Sequence, residues 1–146
     1  MNPVEEKNLA KYLFNSCWEL IEKQNRTDSE IAQMLHCAHA SRYHWGNVGS
    51  NREKSIGEWQ CSHVYALIKN GSAALFHAEL ALNLADSLPK PNFLVASATQ
   101  ALAHAHFLLG NHDEAYALKS KSLQLLEGVE ESDAIHIRNQ IEAMPF

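Results

Sequence analysis

Apolar residues recur along this chain at spacings of three and four, the period of an α-helix buried on one side. Leu9, Leu13, Cys17, Leu20 and Ile21 form one such stripe, widened by Phe14 and Trp18. Ile31, Met34, Leu35, Ala38 and Trp45 form a second, and Leu75, Ala78, Leu82 and Ala85 another. Ile135, Ile137 and Ile141 mark the last. No window alternates with the period of two that a half-buried strand requires, so the pattern predicts no strand.

Punctuation between the stripes sets the helix ends. Asn2-Pro3 followed by Glu5 supplies a capping side chain, a ring fixed at helical φ and an acid at the positive end of the dipole, predicting a helix from there to about Lys23. Thr27-x-x-Glu30 and Ser50-x-x-Glu53 read as capping boxes opening two more helices. Gly46 and Gly49 are expected to end the second, and Asn70-Gly71 the third, near Lys69. A fourth helix is expected to break at Leu88-Pro89-Lys90-Pro91. A fifth is expected to run from about Asn92 to Leu109, a sixth from near Asp113 to Gly128, and a last from about Glu131 to Ala143.

Two of the resulting helix pairs match in register. Tyr65 and His106, His63 and His104, and Ala74 and Ala115 each stand 41 positions apart. A fixed offset of this kind is the mark of an internal repeat. The pair spanning 51–87 and the pair spanning 91–127 resemble the tetratricopeptide repeat (TPR), a helix-turn-helix unit of about 34 residues with small residues where its helices cross. Tyr65, Ala74 and Ala81 fall on the family's aromatic and small positions in the first unit, and Leu102, Gly110 and Ala115 in the second. Both units are longer than the family norm, His106 replaces the aromatic residue, and the pair over 2–46 lacks the motif. The segments AHASRYHWGNVG and GEWQCSHVY are also similar to a group of bacterial TPR-like proteins, a likeness that brings no activity with it. The resemblance implies a single all-α domain over 1–146, a right-handed stack of about seven helices, with helix 131–143 capping its open end. It also implies a concave groove lined by the first helix of each pair.

Composition narrows the setting. Twelve Lys and Arg against 17 Asp and Glu leave a net charge of −5, with no dense basic stripe for a phosphate backbone, which argues against nucleic acid. Three cysteines without CxxC spacing read as reduced thiols of a cytoplasmic protein. The N-terminal residues lack the basic-then-apolar order of a signal peptide. The longest segment free of charged side chains, from Pro91 to His112, carries too many polar residues (Asn92, Ser97, Thr99, Gln100, His104, His106, Asn111) for a membrane helix.

Candidate chemistry gathers on the expected groove. Ser97, Gln100, His104 and Phe107 share one face of the fifth helix, and Glu58 or Trp59, with His63 and Ala66, the matching face of the third. The second helix packs His36, His39, Arg42, Tyr43, His44 and Trp45 into one short stretch. Arg42 beside Trp45 and Trp59 suits an anionic or planar ligand through bidentate hydrogen bonds and stacking. The packing alternative puts the tryptophans in the core and pairs Arg42 with Glu53 or Glu58. The expected ligand-binding set is therefore Arg42, Trp45, Trp59, His63, Gln100 and His104, with Arg42, Trp59, His63 and His104 converging on one cavity.

Nine histidines raise the question of a metal. His36-x-x-His39 has helical ligand spacing, and His63 and His104 are possible partners. No HExxH, ExxH or finger spacing completes a first shell, so no metal and no cofactor is expected. No GxSxG, phosphate loop or paired-carboxylate signature points to catalysis. The function expected is non-enzymatic: a module holding a partner peptide or a small anionic ligand. The alternatives are a small enzyme or metal-dependent protein using the histidine-rich groove, and a homodimeric structural module.

Overall fold

A computed structural model describes all residues 1–146. The chain is all-helical, with seven helices and no strand: α1 (Pro3–Ile21), α2 (Asp28–Val48), α3 (Asn51–Leu67), α4 (Gly71–Asp86), α5 (Phe93–Leu108), α6 (His112–Gln124) and α7 (Glu131–Glu142). No helix is long and apolar enough to cross a membrane.

The caps form where the sequence places them. Asn2 and Thr27 accept from the backbone N–H of Glu5 and Glu30, and each glutamate reaches back to the cap N–H, so two otherwise unpaired donors are satisfied at each start. Ser50 turns its hydroxyl onto the Glu53 carboxylate at 2.7 Å. Asn70 and Asn92 cap α4 and α5 through the N–H groups of Ala73 and Val95.

Three ends differ from expectation. α6 stops at Gln124, four residues before the Gly128 expected to end it. α2 runs through Gly46 and stops only at Gly49, whose N–H bonds the Trp45 carbonyl at 2.7 Å. Gly71 is the first residue of α4 rather than the residue that ends α3, and a Cβ there would stand 3.0–3.1 Å from Leu108 and Leu109 of the neighbouring pair. The residue that reverses the chain after α3 is Lys69, at φ 63°.

Consecutive helices pack against one another across short turns, and α3 also packs on α5. Small residues make this possible. Ala74, Ala78, Ala81 and Ala85 recur along one edge of α4 and are fully buried. Serine hydroxyls stitch the crossings: Ser41 to the Ala10 carbonyl at 2.8 Å, Ser55 to Ala81 at 3.0 Å and Ser62 to Ala74 at 2.8 Å. α5 has no charged side chain and is apolar nearly all round, and every residue from Leu94 to Ala105 is buried. α7 packs through Ala134, Ile137 and Ile141 against Ala96 and Ala103 of α5. Its other edge joins α1, α3 and α5 around a cavity.

Candidate functional site

Trp18 and Ile21 of α1, Trp59 and His63 of α3, Gln100 and His104 of α5, and Asn139, Gln140 and Met144 at the C-terminal end enclose a cavity of about 570 Å³. Each of the first three helices presents one face here because its polar and aromatic positions repeat at helical spacing. The wall is a stack of rings. Trp18 lies on Trp59 at 5.9 Å and 23°, and Trp59 lies on His63 at 4.8 Å and 14°. Trp59 Nε1–H donates to Gln100 Oε1 at 3.0 Å, which fixes both side chains across the α3–α5 contact. A smaller hollow of about 120 Å³ continues past Trp18, Trp59 and Gln140 to Ser97 and Phe14. Gln140 lines both hollows, and its Oε1 is buried and has no hydrogen-bond partner.

The cavity is electrically quiet. Burial, reinforced by His104 nearby, pushes the His63 ring down to about 4. Burial lowers His104 as well. Both rings are neutral at pH 7, so Lys69 is the one charged side chain in the lining.

Four of the six expected residues thus meet: Trp59, His63, Gln100 and His104. Arg42 does not join them. Its Nε–H donates to Glu58 Oε2 at 2.7 Å on the other side of α3, and His77 Nδ1 lies 2.7 Å from the second oxygen, Oε1. The reason is helical geometry, because Glu58 and Trp59 diverge by about 100°. Gly57 lets the Arg42 stem lie against α3 on the Glu58 side, where a Cβ would stand 3.0 Å from Arg42 Cδ. Burial raises the Glu58 carboxyl, but the His77 hydrogen bond and the Arg42 charge outweigh it and leave the group below its ordinary range. Trp45 is also absent from the cavity. It is buried over Gly49, at the edge of a separate 240 Å³ hollow with Lys11, Phe14 and Glu53. Phe107 packs on Phe146 at 4.4 Å and 7°. The packing alternative for Arg42 and Trp45 is the one the structure adopts.

Trp18, Lys69 and Gln140 are among the lining residues that sequence reasoning missed. Trp18 carried a signal, since it widens the apolar stripe of α1. Lys69 carried one too: it stands 41 positions before Gly110, at a site where the counterpart is glycine. Gln140 carried none, because α7 has no repeat partner to set its register. Neither protein-family models nor curated proteins match this chain.

Proposed function

We propose that this chain is a TPR-like binding module, without a catalytic step of its own, that holds a small ligand with a flat aromatic body and an anionic group in the cavity between α1, α3, α5 and α7. The repeat is supported by its turns. Asn70 N–H bonds the Tyr65 carbonyl and Asn111 N–H the His106 carbonyl, both at 2.9 Å. Lys69 and Gly110 precede these asparagines with φ 63° and 84°. The same helix-ending motif therefore recurs at the 41-residue offset, hydrogen bond for hydrogen bond. With α1 and α2 as a third pair, a right-handed stack places α1, α3 and α5 along one concave side.

A cavity of this size suits a small molecule. α7 lies over the groove and turns a track for an extended peptide into a pocket. The lining holds no carboxylate and no hydroxyl or thiol nucleophile. The observation that carries the reading is Lys69. A lysine in the left-handed region costs about 1 kcal/mol relative to glycine. Its repeat counterpart avoids that cost, and Lys69 brings the only charge to the aromatic cavity. Gln140 Oε1 offers an unused acceptor to a ligand N–H.

Anilinonaphthalene sulfonate is a flat aromatic anion, and phenylnaphthylamine is its uncharged relative. The sulfonate is expected to bind one per chain and to quench the fluorescence of Trp18 and Trp59. Lys69→Gly should stabilise the fold by about 1 kcal/mol. It should weaken the sulfonate by about two- to fivefold and leave the uncharged probe unchanged. Failure of both probes to bind, or equal weakening of both in Lys69→Gly, overturns the reading.

A further inference from the structure

The opposite side of α3 carries a second set of chemistry that the cavity does not use. Glu58 and Cys61 stand one turn apart on α3, and His77 faces them from α4. One carboxylate oxygen of Glu58, Cys61 Sγ and one ring nitrogen of His77 all lie within 4.8 Å of one another. From α2, His39 brings its Nδ1 to 3.9 Å from Cys61 Sγ. We propose that Glu58, Cys61, His77 and His39 form a binding site for one divalent transition-metal ion, zinc by donor set.

Ligands of a tetrahedral zinc sit about 2.0–2.3 Å from the ion, which sets them roughly 3.3–3.8 Å from each other. Glu58 Oε1 and His77 Nδ1, now 2.7 Å apart, need to part by about 0.6 Å to admit the ion. Cys61 Sγ lies within 4.8 Å of the other two core donors and needs to close by about an ångström, and its 3.9 Å separation from His39 Nδ1 is close to the required spacing. One sulfur, two imidazoles and one carboxylate are the borderline donors that zinc favours. The surroundings fit as well. Arg42 holds Glu58 Oε2, which leaves Oε1 toward His77. His39 Nε2 lies 2.9 Å from the Tyr65 hydroxyl, the kind of outer contact that fixes a ligating imidazole with its other nitrogen toward the ion. Tyr65 in turn stacks on His77 at 5.6 Å and 4°. Glu58 and Cys61 are buried at the floor, while His77 is half-buried and His39 exposed at the rim, so the ion has a way in. Binding takes the place of the His77–Glu58 hydrogen bond: the neutral His77 imidazole ligates through one ring nitrogen and carries its proton on the other, and the Cys61 thiol proton goes to solvent. No oxidant or reductant is required. Free of metal, the buried Cys61 thiol is pushed up by burial and by Glu58, which makes it a poor nucleophile.

The test is titration of the chelator-stripped protein with zinc against a chromophoric competitor, and with cobalt followed by absorption. One ion per chain is expected, with a thiolate-to-cobalt charge-transfer band. Cys61→Ser should abolish the band and weaken zinc by at least about 100-fold. Tyr65→Phe should weaken it by about tenfold. His39→Gln changes an exposed residue and remains decisive if Cys61→Ser fails to fold: it should weaken zinc by about tenfold or more. His63→Ala and His104→Ala, on the cavity side, should bind as the parent does. No binding in the micromolar range, a cobalt band that survives Cys61→Ser, or zinc affinity unchanged in a folded His39→Gln protein overturns the proposal. None of these outcomes bears on the probes of the cavity.

Discussion

Glu58 and Trp59 are adjacent in the chain and serve different faces of α3. The Trp59 face looks toward α1 and α5 and is built from stacked rings and amides. The Glu58 face looks toward α2 and α4 and is built around a buried carboxylate, with Arg42 and His77 on its two oxygens. Burial acts on both with different results. His63 has no acid beside it, so burial wins and the ring stays neutral. Glu58 is also buried, but its partners win and the carboxylate stays charged. The same desolvation thus makes one face a neutral receptacle and the other an ion-holding network, according to whether a counter-charge is within reach.

The largest effect should come from breaking the charged face. Glu58→Ala leaves Arg42 and His77 without their shared acceptor in a poorly solvated place. Its expected cost is about 2–4 kcal/mol, read from denaturant midpoints. A cost below about 1 kcal/mol would mean that water already screens this network as it does a surface pair.

The neutral face should reveal itself through pH. The folded protein holds His63 at about 4, whereas an unfolded histidine titrates near 6.5. As pH falls below 6.5 the unfolded chain takes up the proton first. Stability is therefore full above pH 6.5 and is lost progressively as pH drops toward 4. His63 borders an open cavity, so the loss is set at about 1–3 kcal/mol rather than at the full value of the shift. Comparing wild type with His63→Gln at pH 7 and pH 5 isolates it: the gap between the two proteins should narrow at pH 5. A gap independent of pH would place the His63 proton in water.

How much of this was legible in the chain differs between the two faces. Helix starts were, because Asn2, Thr27 and Ser50 carry their partners three residues on. The cavity wall was, because Trp59, His63, Gln100 and His104 follow from helical register and the 41-residue offset alone. Ala74 and Ala115, the small residues 41 positions apart, are both fully buried. The charged face was not. Arg42 had Trp45, Trp59, Glu53 and Glu58 all within reach by sequence, and only the packing of α2 against Gly57 selects Glu58. Likewise the histidine pairs considered for metal, His36 with His39 and His63 with His104, mixed residues that the fold sends to opposite sides of α3. For Lys69 in the left-handed region the one signal was its 41-residue offset from Gly110, and it was masked locally by Gly71, the glycine two places later.

A smaller effect should follow from removing one hydrogen bond within the neutral wall. Trp59→Phe keeps a ring in the stack but deletes the donor to Gln100 Oε1, which is buried. An acceptor left unsatisfied costs about 1–2 kcal/mol. The double variant with Gln100→Leu should recover part of that, since both polar partners are then gone. If Trp59→Phe is neutral, cavity water serves Gln100 and the wall is wetter than its geometry implies.

The smallest expected effect is the sharpest test of the division. Arg42→Gln removes the residue that sequence reasoning placed in the ligand site, yet its guanidinium lies across α3 and bonds only Glu58 there. The variant should lose stability, because Glu58 then keeps His77 alone. At a temperature where it remains folded, its affinity for anilinonaphthalene sulfonate should stay within about twofold of the parent, since groups with no shared partner act independently. The cavity lining has no polar contact with Arg42, and Trp59 is held from the other side by Trp18 and Gln100. A tenfold loss of affinity would mean that α3 transmits the state of one face to the other. The helix would then be a lever between metal and ligand rather than a wall between two sites.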